Sequence, residues 1–158
     1  MLTYTTDSLK KDTEVTGPME AELWASSSAQ DTDFAVKLTD VYPDGRSIII
    51  QDNILRARYH ESREKETLLT PGEIYEFTID LGPASNIFKA GHRIRADVAS
   101  SNYLRFDNTP NTGHKWGEDA ETVVAKNTIH HDAEHPSHII LPIIPGDDRP
   151  DEDKPNKE

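Results

Sequence analysis

The chain has 158 residues, enough for one domain that buries about two thirds of its unfolded surface around a single core. Its 17 Lys and Arg against 29 Asp and Glu give a net charge of −12, which opposes binding to phosphate backbones and anionic lipid, so neither nucleic acid nor a membrane is an expected partner. Cysteine is absent, which excludes disulfides and thiolate chemistry.

The first twelve residues hold no basic stretch followed by an apolar core, and nowhere do 18 apolar residues run together. A soluble, cytoplasmic chain is the expectation. In chain order, residues 2–5 and 13–16 read as short strands. Met19, Ala21, Leu23 and Ala25 then alternate onto one face, and Phe34, Val36 and Leu38 onto another. Tyr42-Pro43-Asp44-Gly45 has the Pro that presets φ and the Gly that accepts a positive one, which predicts a hairpin into a strand at 47–50. Another strand is expected at 54–59. Thr70-Pro71-Gly72-Glu73 and Leu81-Gly82-Pro83 read as turns bracketing a strand whose Tyr75, Phe77, Ile79 and Leu81 share a face. Lys89-Ala90-Gly91 turns the chain into a strand at 94–99, and residues 122–129 and 137–141 complete a set of about ten strands. Helical spacing is hard to find. Short strands cut by sharp turns, without crossover helices, describe an all-β antiparallel sandwich or jelly roll over residues 1–145. From 146 to 158 only proline rings are apolar, so an acidic disordered tail is expected there.

The histidines of His130-His131-Asp132-Ala133-Glu134-His135-Pro136-Ser137-His138 are the right residue types for zinc, but the pattern is wrong for it. In an extended segment His130 and His131 point apart, and Pro136 prevents a helix from uniting His131 with His135. No metal site and no cofactor are predicted. Serine hydrolysis needs a nucleophile on a tight turn, marked by Gly-x-Ser-x-Gly, and no such motif occurs; Ser26-Ser27-Ser28 and Ser100-Ser101 suit strand ends and turns. No catalytic residue is assigned. Trp24 and Trp116 offer stacking surfaces for sugars, which keeps a free-standing carbohydrate-binding module as an alternative, although Trp24 lies in an alternating strand where packing is the commoner role. The long polar connection after residue 101 is the best interface candidate, with Asn102, Tyr103, Arg105, Phe106, Asp107, Asn108 and Trp116 as its binding or interdomain residues. Its other reading is a crossover between sheets held by Asn and Asp side chains.

Several segments taken together resemble a known family. They are Val15-Thr16-Gly17-Pro18, Ala25-Ser26-Ser27-Ser28-Ala29, Asp31-Thr32-Asp33-Phe34, Asp40-Val41-Tyr42-Pro43-Asp44-Gly45-Arg46, Ile54-Leu55-Arg56-Ala57-Arg58-Tyr59, Pro71-Gly72-Glu73, Gly91-His92-Arg93-Ile94-Arg95, and His135-Pro136-Ser137-His138 with Leu141-Pro142. Their order and spacing are similar to the C-terminal domain shared by X-Pro dipeptidyl-peptidases, cocaine esterase, α-amino-acid ester hydrolases and glutaryl acylases. The resemblance implies a galactose-binding-like jelly roll that follows an α/β-hydrolase domain and a helical cap, stabilises them and helps wall the substrate pocket. Those two domains are the implied partners, and the Ser, Asp and His of the family's triad belong to the hydrolase domain, so the chain alone is expected to be inactive. Relatives carry an initial strand-bearing segment of the sandwich ahead of the position of Met1, so a fragment or a split reading frame is expected, with an exposed sheet edge that favours self-association. Asn53 stands where the family has Gly, and Tyr103-Leu104 where it has Phe-Pro; a left-handed backbone at Asn53 would make the first change mild.

Overall fold

The computed structural model describes residues 1–145 apart from 116 and 119. The expected tail at 146–158 lies outside the described residues. Among the described residues nine antiparallel strands form two sheets: β1 (Leu2–Thr5), β2 (Thr13–Ser27), β3 (Asp33–Val41), β4 (Ser47–Arg56), β5 (Ile74–Phe88), β6 (Arg93–Ala99), β7 (Asn127–Ile129), β8 (His138–Ile140) and β9 (Ile143–Ile144). The first sheet has the order β1-β6-β3-β4. In the second, β5 pairs one edge of β2, while β7, β8 and β9 pair successive stretches of the other. The fold is an all-β sandwich, as the strand and turn signals anticipate.

Alternation sets the core. Val15, Met19, Ala21, Leu23 and Ala25 of β2 and Phe77, Ile79, Leu81 and Phe88 of β5 face Phe34, Val36 and Leu38 of β3 and Val98 of β6. Phe34 and Phe77 meet across the layers with ring centroids 4.6 Å apart. The hairpin at residues 42–45 forms as expected: Tyr42 N donates to Arg46 O at 2.8 Å, and Gly45 has φ +89°.

The sequence misplaces several boundaries. Leu81-Gly82-Pro83 is no turn, because β5 runs through it, and β2 likewise joins the two strands expected at 13–16 and 19–25. Pro18 and Pro83 face one another in register. Each lacks an N–H, but Pro83 is on an edge strand and Pro18 falls in the gap between β8 and β9, so no ladder bond is lost. A register shift at Met19/Glu20 leaves Leu81 without a partner in β2, a bulge beside the Gly82-Pro83 that the sequence presents as a turn. Gly17, at φ +138°, lets Pro142 approach so closely that an added Cβ would lie 3.1 Å from its Cγ. The strand expected at 54–59 ends at Arg56 in a single 3-10 turn, Ala57–Tyr59, and the one expected at 122–129 shrinks to Asn127–Ile129. Asn53 is not left-handed; among the described non-glycine residues that conformation belongs to Asn111.

The two long sides of the sandwich differ. On one, β4 is stitched to β5: Gln51 Nε2 donates to Pro83 O at 2.9 Å, and Asn53 Nδ2 to Asp80 O at 2.7 Å. On the other, the Tyr4 hydroxyl meets His131 Nε2 at 2.8 Å over a cavity of about 380 Å³ that opens between the sheets and is lined by Leu23, Val36, Ile94 and Ile139. The ends are tied too. Asp12 accepts from Lys89 Nζ and from Ala90 N, both at 2.8 Å, pinning the entry to β2 against the turn after β5.

Truncating Phe34 to Ala should cost about 3–5 kcal/mol, since neither sheet can collapse onto the void, and urea unfolding measures it. The bonds from Lys89 and Ala90 hold the Asp12 carboxyl below its usual range, so its stabilisation is present at neutral pH and is lost as pH falls through that lowered value. Asp12→Asn should therefore lower the melting temperature at neutral pH, and the difference from the parent should close as pH falls through that lowered value.

Candidate functional site

The connection between β6 and β7, residues 100–126, leaves the first sheet beside the start of β3 and the end of β4 and enters the second at Asn127. It crosses between sheets, as one of the two sequence readings holds. It also folds back over the outer face of the first sheet. With Phe34, Val36 and Leu38 facing the core, Asp33 and Ala35 point outward, yet both are about 1% exposed, and Arg56, the partner of Asp33, reaches the loop at the Asp107 carbonyl.

Three charged groups grip the loop. Asp52, outward-facing on β4 and only 8% exposed at its side chain, accepts from Asn102 Nδ2 at 2.6 Å through one oxygen and pairs with Arg105 through the other. Arg56 donates to its cross-strand partner Asp33 at 3.0 Å and reaches the carbonyl of Asp107 at 3.4 Å. Arg58, on the 3-10 turn, pairs with Asp31 at 2.8 Å, and its Nη2 also donates to the carbonyl of His114 at 2.8 Å. The side chains of Arg58 and Asp31 are 5% and 0% exposed, and the second Asp31 oxygen takes the backbone N–H of Arg58 at 3.0 Å. Burial raises the Asp33 carboxyl above its ordinary range, against the opposing hydrogen bond from Arg56.

The sequence-designated residues divide by role. Asn102 and Arg105 are gripped by Asp52, and Arg105 lies over the ring of Phe106 with its guanidinium 5.4 Å from the centroid. Asp107 contributes its carbonyl to Arg56, and Asn108 accepts from Ser101 Oγ. Tyr103 projects outward together with Leu104, at 67% and 84% exposed. Trp116 lies outside the described residues. Asp31, Asp33, Asp52, Arg56 and Arg58, which hold the loop, were not among the expected site residues. The signal for four of them was the acids Asp31 and Asp33 and the arginines Arg56 and Arg58, placed to meet when β3 and β4 pair, and Asp52 carried none.

The histidines disperse. His131 bonds Tyr4, His135 Nδ1 meets Asp132 at 3.0 Å, and His138 pairs with Glu22 at 3.3 Å. Among the described residues no group of three potential metal ligands gathers. Trp24 packs edge-on against His135, at 5.2 Å between centroids, rather than lying open as a sugar platform.

One contact bears on hydrolase chemistry. Ser26 Oγ lies 3.1 Å from His130 Nε2. A nucleophile needs an exposed turn and a base oriented by a third group. Ser26 instead sits within β2, paired with Ile74 on one side and Thr128 on the other, and among the described residues no carboxylate bonds His130. The contact ties β2 to the residue after β7, where His130 N also donates to Trp24 O at 2.8 Å.

Removing one partner of a buried ion pair strands the other charge. Arg58→Met should cost about 3–5 kcal/mol in denaturant unfolding. Asp44→Ala, which removes an exposed pair with Arg46 and the acceptor of the Arg46 backbone N–H at 3.1 Å, should lower the unfolding midpoint far less.

Comparison with known proteins gives this arrangement its context. Residues 1–140 match the family described as the X-Pro dipeptidyl-peptidase C-terminal non-catalytic domain. The chain is 49% identical over 146 residues to cocaine esterase of Rhodococcus sp. (strain MB1 Bresler), a match covering 91% of this chain and 25% of that protein. It superposes on an aminopeptidase from a marine sediment Thaumarchaeota archaeon with a TM-score of 0.86 at 31% identity, covering 91% of this chain and 26% of the other. An α-amino acid ester hydrolase gives a TM-score of 0.85 at 30% identity, with 90% and 25% covered. The chain thus spans about a quarter of the length of each of these relatives, and it belongs to the family of X-Pro dipeptidyl-peptidase C-terminal non-catalytic domains.

Proposed function

We propose that this domain serves an α/β-hydrolase-type serine hydrolase of peptide, ester or amide bonds, stabilising its catalytic part and helping to wall its substrate pocket. The observation that carries this reading is the match of nine tenths of the chain to one quarter of enzymes named as hydrolases. The chain's own chemistry agrees with it. Among the described residues its Ser26–His130 contact lacks both the turn and the orienting carboxylate that hydrolysis needs, while buried acids paired with arginines hold a long loop, as a supporting surface requires. The isolated chain should turn over neither p-nitrophenyl esters nor X-Pro anilides. Turnover that is blocked by a serine-directed inhibitor and lost in Ser26→Ala would overturn this reading.

Self-association of the isolated chain belongs to the same proposal. The outer edge of β1 has no strand beside it among the described residues, and the cavity next to it exposes core-facing side chains. Light scattering at high micromolar concentration should show dimers, and monomer alone would count against this part.

A further inference from the structure

Buried charge and exposed apolar side chains meet on the connection between β6 and β7. Asp52 sits on the outer face of β4, opposite Lys37, yet its side chain is only 8% exposed, because Asn102 and Arg105 close over it and each bonds one of its oxygens. The residues between those two grips are Tyr103 and Leu104. They stand 67% and 84% exposed, against the 0–6% of the hydrophobic core. The backbone closes the same short turn, with Arg105 N and Phe106 N both donating to Asn102 O at 3.1 and 3.0 Å, and Ser101 Oγ accepting from Tyr103 N at 3.3 Å.

A carboxylate removed from water to hold a loop that exposes two large apolar side chains does nothing for the solubility of the free domain. It does fix those side chains in place before a partner arrives. The ordering cost that a flexible loop would meet on association is already met, and an exposed tyrosine, a residue enriched at interface hot spots, beside a large aliphatic side chain suits an anchor seated in an apolar pocket. We infer that Tyr103 and Leu104 form the anchor by which this domain docks, filling an apolar pocket on the catalytic part of the hydrolase, with Asp52 as the positioning residue behind them. The inference rests on the accessory-domain reading and adds the contact that carries the docking. The catalytic part is the occupant because three quarters of each relative's length lies outside the matched region, and the tip's apolar, uncharged character calls for a pocket of the same kind.

The test replaces the matched C-terminal quarter of the Rhodococcus cocaine esterase with this whole chain and follows the loss of esterase activity at a fixed elevated temperature. The chimera should outlast the esterase lacking that quarter. Changing Tyr103 and Leu104 both to Ser should speed inactivation roughly tenfold or more, the scale of a lost pocket-filling anchor. The free chain carrying the same changes should melt where the parent does, since both side chains are exposed. Tyr103→Phe with Leu104→Met, which keeps the apolar volume, should restore the parent rate, and Asp52→Ala should reproduce part of the loss. If the parent chimera is stable and the double Ser variant inactivates no faster, the anchor is wrong and the accessory role stands. If the parent chimera is no more stable than the truncated esterase, the accessory role itself fails.

Discussion

The acid–arginine pairing on the outer face of the first sheet is the constraint on which the rest of this molecule depends. An antiparallel sheet with one solvated face needs no burial there. Here Asp31, Asp33 and Asp52 are taken out of water beneath the connection at 100–126, and each is compensated by an arginine or an amide. The compensation determines the shape of the loop, because Arg56 and Arg58 have donors left over after meeting their acids and spend them on the carbonyls of Asp107 and His114. Fixed backbone and matched charge are therefore one arrangement, and replacing either partner disturbs both.

The sandwich beneath supplies the frame. Its core is a plain interdigitation of alternating side chains, and its two long sides are unequal, one stitched by Gln51 and Asn53 and the other left open beside β1. The surface built on that frame is a loop held by ion pairs, with Tyr103 and Leu104 exposed at its tip.

The alternating faces of β2, β3 and β5 and the hairpin at residues 42–45 were legible in the residues themselves. Strand continuity was not. Gly82-Pro83 has the composition of a turn, and only the edge position of β5 and the bulge opposite Met19 make it strand, which are properties of the sheet rather than of the segment. The grip of Asp52 on Asn102 and Arg105 was equally hidden, because its partners lie some fifty positions away and a charged residue on a strand normally reads as solvent-facing. Asn53 illustrates the same limit: its side chain was expected to ease a left-handed backbone and instead reaches across to Asp80.

Amide hydrogen exchange across residues 100–109 tests the central claim most directly. If buried charge holds this loop, the Arg105 and Phe106 amides exchange far more slowly than in an unstructured chain and lose that protection in Asp52→Ala while the strand amides of β3 keep theirs. Exchange at unstructured rates in the parent, or protection that survives the loss of Asp52, would contradict it.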